Sequence, residues 1–128
     1  MQTLITEGIK VSVETHYQNN YSRPMEGKYI HAYRVTIENL SDSTVQLLRR
    51  HWRVRDSNGE FRQIEGEGVI GIQPVLEPGE AHQYVSWCHL RTGLGKMWGT
   101  YLMQETLQEE RFSVQIPEFN LVAPFKLN

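Results

Sequence analysis

The sequence has a single cysteine, Cys88, so no internal disulfide can staple the fold. That fits a reducing, cytoplasmic compartment. It has no apolar run near the roughly 20 residues needed to cross a bilayer, and its opening MQTLITEGIKVS lacks the apolar core of a signal peptide. Membrane insertion is not expected, and any effect on transport must run through another molecule. Charge of either sign is not in excess: the net charge is −2 and the pI about 6.2. This argues against a chain that binds nucleic acid through general electrostatics. The five histidines, His16, His31, His51, His82 and His89, show no close metal-ligand spacing, and there is no C-x-x-C. A tight intrinsic metal site is therefore not expected, and neither is a cofactor. Repeats, low-complexity tracts, linker-like shifts in composition and any sustained helical period are also missing. With 128 residues, one domain, 1–128, is the expectation.

What remains is short alternating segments between turn signals. Ile9, Val11, Val13, Thr15 and Tyr17 fall on one side of residues 9–17, a period of two rich in β-branched side chains. Residues 18–27 read as a loop through Pro24 and Gly27. Tyr29, Tyr33, Val35 and Ile37 share a face of a second strand over 28–39. Over 44–56 the apolar positions Val45, Leu47, Leu48, Trp52 and Val54 change parity, which predicts a bulge near Leu47–Leu48. Asp56-Ser57-Asn58-Gly59 suits a type I turn closed by a glycine bulge. That turn sets Trp52 opposite Ile64, both inward. GEGVIG at 66–71 reads as a glycine loop, 72–76 as a short strand, and Pro78-Gly79 as a type II turn. Strands are expected at 81–90, 96–104 and 111–116, with Gly99 sharing a face with Met97, Tyr101 and Met103. Seven or eight short strands predict an all-β antiparallel sandwich, with Val35, Ile37, Trp52, Tyr101 and Val114 in its core.

Three features could carry function. Gly66, Gly68 and Gly71 match G-x-G-x-x-G, which in a dinucleotide site lets amides approach a pyrophosphate at a helix N-terminus. Here a short strand follows instead of a helix, so the choice lies between a turn and an amide nest for phosphate. Arg49, Arg50, His51, Arg53, Arg55 and Arg62 are the densest basic feature. In regular register Arg49, His51, Arg53 and Arg55 share one face, which could meet a phosphate or an acidic partner, or only water. Trp87 and Trp98 have the opposite parity to Tyr84/Ser86 and Tyr101/Met103, so each could be an exposed interface aromatic or be covered by the C-terminal segment. Glu65 and Glu67 lie two apart beside the glycine loop and read as a solvated rim. Cys88 and His89, as strand neighbours, point to opposite faces, so a catalytic dyad between them is not expected.

TIENLSDSTVQLLRRHW at 36–52, GEGVIGIQPVLEPGE at 66–80, FSVQIPEFNL at 112–121, and the spaced Tyr84, Ser86, Leu90, Thr92, Gly95, Met97, Gly99, Tyr101 and Met103 together resemble the bacterial ApaG family over nearly the whole chain. The chain departs from the family pattern at His82, Trp87 and Gly93. The resemblance implies a sandwich similar to immunoglobulin and fibronectin type III domains. It also implies an association with cobalt and magnesium resistance or efflux, and protein binding, since related domains occur in F-box proteins and a polymerase-interacting protein. It carries no catalytic residues. The expected function is thus a non-enzymatic binding or regulatory module with a protein partner. The alternative is a phosphate or nucleotide binder using Gly66, Gly68, Gly71, Arg49, Arg53 and Arg55.

Overall fold

In the computed structural model, residues 1–124 are described; residues 125–128, part of the single domain expected from sequence, lie outside them. Among the described residues there are nine strands. β1 (Gln2–Thr6), β2 (Ile9–Tyr17), β3 (Tyr29–Asn39) and β7 (Ala81–Leu90) form one antiparallel sheet in that order. β5 (Phe61–Glu67), β4 (Val45–Asp56), β8 (Leu94–Glu105) and β9 (Arg111–Val122) form the other, and the two-residue β6 (Val75–Leu76) joins it beside β4. The chain is a two-sheet β-sandwich, and no helix among the described residues is long and apolar enough to cross a membrane.

Alternation builds the core. Ile9, Val11 and Val13 of β2, Val35 and Ile37 of β3, and Met97, Tyr101 and Met103 of β8 are all at most 1% exposed. Trp52 sits at the centre, edge-on to Tyr33, Tyr101 and Phe119 with ring centroids 5.3, 6.5 and 5.8 Å away. Such edge-to-face pairs suit the ring quadrupoles. The five residues expected in the core, Val35, Ile37, Trp52, Tyr101 and Val114, are all buried. The hydroxyls of Tyr84 and Tyr101 hydrogen-bond to each other inside this core.

The turn chemistry follows the sequence closely. The β4–β8 register shifts between Leu47 and Arg49, where the change of parity required a bulge. The β4–β5 hairpin closes with Gly59 N donating to Asp56 O at 3.0 Å, and Trp52 pairs with Ile64. Gly79 has φ +87°, and Glu80 N donates to Glu77 O at 2.9 Å across the Pro78-Gly79 turn.

The strand number and several strand bounds need correction. β1 was not anticipated and raises the strand number to nine. Gly66 lies within β5, and the strand after the glycine turn shrinks to Val75–Leu76. β9 runs on through Pro117 to Val122, because a register shift opposite Trp98 leaves the proline outside the ladder. Ile64 pairs with Trp52 and shares its inward face, as the turn required, and is 40% exposed. The physical reason for that exposure is the strand order: β1 packs on β9 at one side, where Gln115 N donates to Thr6 Oγ1 at 3.3 Å. At the other side β7 and β5 are the end strands, and the described residues leave Ile64 only partly covered.

Candidate partner-binding face

Side chains directly opposite on paired antiparallel strands share a face. After the bulge, β4 turns Trp52, Val54 and the half-buried Arg50 inward, and Arg49, His51, Arg53 and Arg55 outward. Register then decides what the outward row meets. Arg55 pairs with Phe61 on one side and Lys96 on the other; Arg53 pairs with Gln63 and Trp98. The Arg55 guanidinium lies 5.2 Å from the Phe61 ring centroid, and Lys96 Nζ lies 5.6 Å from that of Trp98. The Phe61 and Trp98 rings are 6.0 Å apart. Three strands thus bring two aromatic rings and three cations to one patch, in which Arg55 and Phe61 are exposed and Arg53, Lys96 and Trp98 half-buried. Cations over ring faces are attracted by the quadrupole and are pre-set against a partner at little entropy cost.

The charge of this face is mostly uncompensated. Lys96 meets Glu118 at 3.5 Å, and His51 is held by Gln63 Oε1 at 2.7 Å and Glu65 Oε1 at 3.2 Å. Among the described residues, no carboxylate comes within ion-pair distance of Arg49, Arg53 or Arg55. A hollow of about 380 Å³ opens beside the patch, with Arg55 and Lys96 among its lining.

The glycine segment is built differently. Gly68 N donates to Leu48 O, and Val69 and Ile72 exchange N–H and C=O across a tight turn that plugs Val69 into the core. The amides of Gly68 and Val69, and that of Ile72 just after the segment, are therefore occupied. The guanidinium that meets this segment is Arg50, which donates to Glu67 O at 3.0 Å and Gly68 O at 3.1 Å and lies against Gly66. Arg49, opposite Glu67, stands at the loop end of the outer row, and Arg53 and Arg55 follow away from it. The arginine row and the loop amides do not converge on one point.

Trp87 and Trp98 sit on opposite outer faces. Trp87 is 50% exposed on the β7 side and meets the Tyr21 ring edge-on at 5.0 Å. Sequence reasoning missed Phe61 and Lys96. The Trp52–Ile64 register already implied Arg55 opposite Phe61, whereas Lys96 required the β4–β8 pairing.

Cys88 does not work with His89. It is buried and lies across from His31 of β3, with Arg62 Nη2 3.5 Å from its sulfur. Burial pushes the thiol up to about 11, against the opposing pull of Arg62, so the reactive thiolate is scarce at neutral pH. Among the described residues, no three His, Cys, Asp or Glu side chains are grouped to hold a metal ion.

The ApaG domain model matches residues 19–105. The chain belongs to the ApaG family. It is 44% identical to Protein ApaG of Brucella canis and 46% to that of Brucella anthropi, in each case over 124 residues, 97% of this chain and 95% of the relative. The crystal structure of a Bordetella pertussis protein described as ApaA is 37% identical, with a TM-score of 0.88 over 92% of this chain and 95% of that one. This ApaG-family sandwich comes with no catalytic activity in the names of these relatives.

Proposed function

We propose that this ApaG-family chain is a non-enzymatic, cytoplasmic binding module whose protein partner docks an acidic surface on Arg53, Arg55, Phe61, Lys96 and Trp98. The observation that carries the reading is the patch itself: arginines without a carboxylate partner among the described residues, set beside the exposed Phe61 ring and the half-buried Trp98 ring. Arginine and tryptophan dominate binding hot spots, where truncation of one side chain costs about 2 kcal/mol or more. The family's association with cobalt and magnesium homeostasis enters here as well. Under this reading an effect on cation efflux runs through the partner, not through a metal site in this chain. Phosphate or nucleotide at Gly66, Gly68 and Gly71 is the competing reading, and it has less support because the amides of Gly68 and Val69 within that segment are already donated internally.

The test compares partners retained by the tagged chain with those retained by an Arg53→Glu/Arg55→Glu variant at equal folding. A partner with an acidic surface should be lost from the variant and weakened by salt, since exposed charges are screened within about 8 Å at physiological ionic strength. Equal retention by both would defeat the proposed face. Titration of pyrophosphate and ATP against labelled amides addresses the competitor: shifts at 66–71 weakened by Arg53→Ala would favour it.

A further inference from the structure

A sandwich edge exposes unpaired backbone groups, and native sheets blunt such edges with charge, proline, bulges or short length. Three of the four edges here are treated that way. β1 has five residues and packs against β9. β9 carries Pro117, a register shift, Arg111 and Glu118. β5 carries Arg62, Glu65 and Glu67. β7 is the exception. Its ten residues, AHQYVSWCHL, include no Lys, Arg, Asp, Glu or Pro, and all ten pair with β3 without a shift.

One hydrogen bond shows which backbone groups face outward. Arg62 Nη2 reaches across from β5 and donates to His89 O at 2.5 Å. That carbonyl therefore points away from β3. In an antiparallel ladder alternate residues turn both backbone groups to the same side, so Gln83, Val85 and Trp87 turn theirs outward too. Among the described residues these groups have no backbone partner. Arg62 closes one end, leaving a free edge from Gln83 to Trp87, about 17 Å at 3.4 Å per residue.

The floor beside this edge is also partly uncovered. β7 and β5 are the end strands of the two sheets on this side, and the inward-facing Ile64 of β5 is 40% exposed. A missing strand would leave both features at once: free ladder groups on one wall and a bare core-facing side chain below. On the outer side the row continues with Val85, 49% exposed, and Trp87 with Tyr21. The inward sides of β5 and β7 hold Arg62, Gly66, Tyr84, Ser86 and Cys88 and no carboxylate, and Arg50 fills the space against Gly66.

We propose that the β7 edge accepts an extended segment of a partner protein as a fifth strand of the β1-β2-β3-β7 sheet. Charge complementarity sets its chemistry: apolar side chains beside Val85 and Trp87, alternating with inward ones that cover Ile64 and place an acid against Arg50 and Arg62. Main-chain bonds supply affinity and the alternate side chains supply selectivity in such strand addition. This surface is separate from the arginine–aromatic face and stands without it.

The full-length chain is panned against phage-displayed random dodecapeptides, and the synthetic binders are followed by backbone amide exchange. In the free chain the amides of Gln83, Val85 and Trp87 should exchange fast while those of Tyr84 and Ser86 are protected. Bound peptide should slow the first three by at least tenfold. Val85→Pro removes an outward N–H, which an edge strand tolerates, together with one apolar side chain of the docking row; it should weaken peptide binding at least tenfold, while Val85→Ala, which keeps the N–H, weakens it less and Trp98→Ala leaves it unchanged. Absence of binders, an exchange footprint elsewhere on the unmodified chain, or binding that Trp98→Ala abolishes would overturn the proposal. So would a dimer in sedimentation that Val85→Pro dissociates, because a second copy would then occupy the edge.

Discussion

Two glycines separate backbone strain from steric contact, and their alanine variants should differ by a calculable amount. Gly79 has φ +87°, and a Cβ built there meets nothing within 4 Å. Gly79→Ala therefore costs only the left-handed conformation of an L-residue, about 1–2 kcal/mol. Gly68 has φ +62°, and a Cβ there would stand 2.1 Å from Ile72 O and 2.8 Å from Ile72 C. Backbone cannot rotate aside as a side chain can, so the turn must open. Opening it jeopardises the bonds Gly68 N to Leu48 O, Val69 N to Ile72 O and Ile72 N to Val69 O, each worth about 1 kcal/mol net. Gly68→Ala should then cost roughly 3–5 kcal/mol, adding the strain to two or three such bonds. At about 4 °C per kcal/mol for a domain of this size, melting should fall by roughly 12–20 °C for Gly68→Ala and 4–8 °C for Gly79→Ala. Urea midpoints at constant m-value give the same comparison. Equal losses in the two variants would refute the reasoning, since contacts at Gly68, above all with the Ile72 backbone, have no counterpart at Gly79.

Other outcomes follow from buried titrating groups. The Cys88 thiol is raised by burial from 9.0 to about 11. The unfolded chain then loses this proton first, so stability is full below pH 9 and is lost as pH rises towards 11, by about 2–3 kcal/mol at 1.36 per unit. Urea unfolding across that range should show the loss, reduced in Cys88→Ala, and iodoacetamide should label the native thiol slowly at pH 8. His31 is 1% exposed, its Nε2 has no hydrogen-bond partner among the described residues, and burial lowers its pKa. Its neutral form is favoured by folding, so stability is full above pH 6.5 and falls below it as the unfolded chain takes up the proton. In His31→Phe that acid slope should disappear; identical slopes in the two proteins would contradict a buried neutral imidazole.

Local chemistry was legible in the sequence, and assembly was not. The Leu47–Leu48 bulge, the Asp56–Gly59 hairpin and the Pro78-Gly79 turn depend on residues close in the chain, and the structure has all three. β1 left no signal because its residues are exposed on both sides except Thr6, which removes the alternation that marks a half-buried strand. Pro117 looked like a strand end because a bulge opposite Trp98 involves β8, more than ten residues away. The exposure of Ile64 depends on its place on an end strand of the assembled sandwich, which no local pattern encodes. For the same reason Arg53, Arg55 and Trp98 could be named separately, but their meeting with Phe61 and Lys96 rests on the order β5-β4-β8. Arg50 turned towards the glycine segment because the bulge moved it to the inner face, so the nearest cation binds carbonyls and leaves the outer row free.

The central claim is that a partner protein covers the outer face around Trp98. The direct measurement is photo-crosslinking in cells that naturally carry the chain, with benzoylphenylalanine at Phe61 or, as a control on the opposite sheet, at Glu14. The account expects one discrete adduct from position 61, lost when Arg53→Glu and Arg55→Glu are added, and none from position 14. No adduct at 61, or the same adduct from both positions, would contradict it.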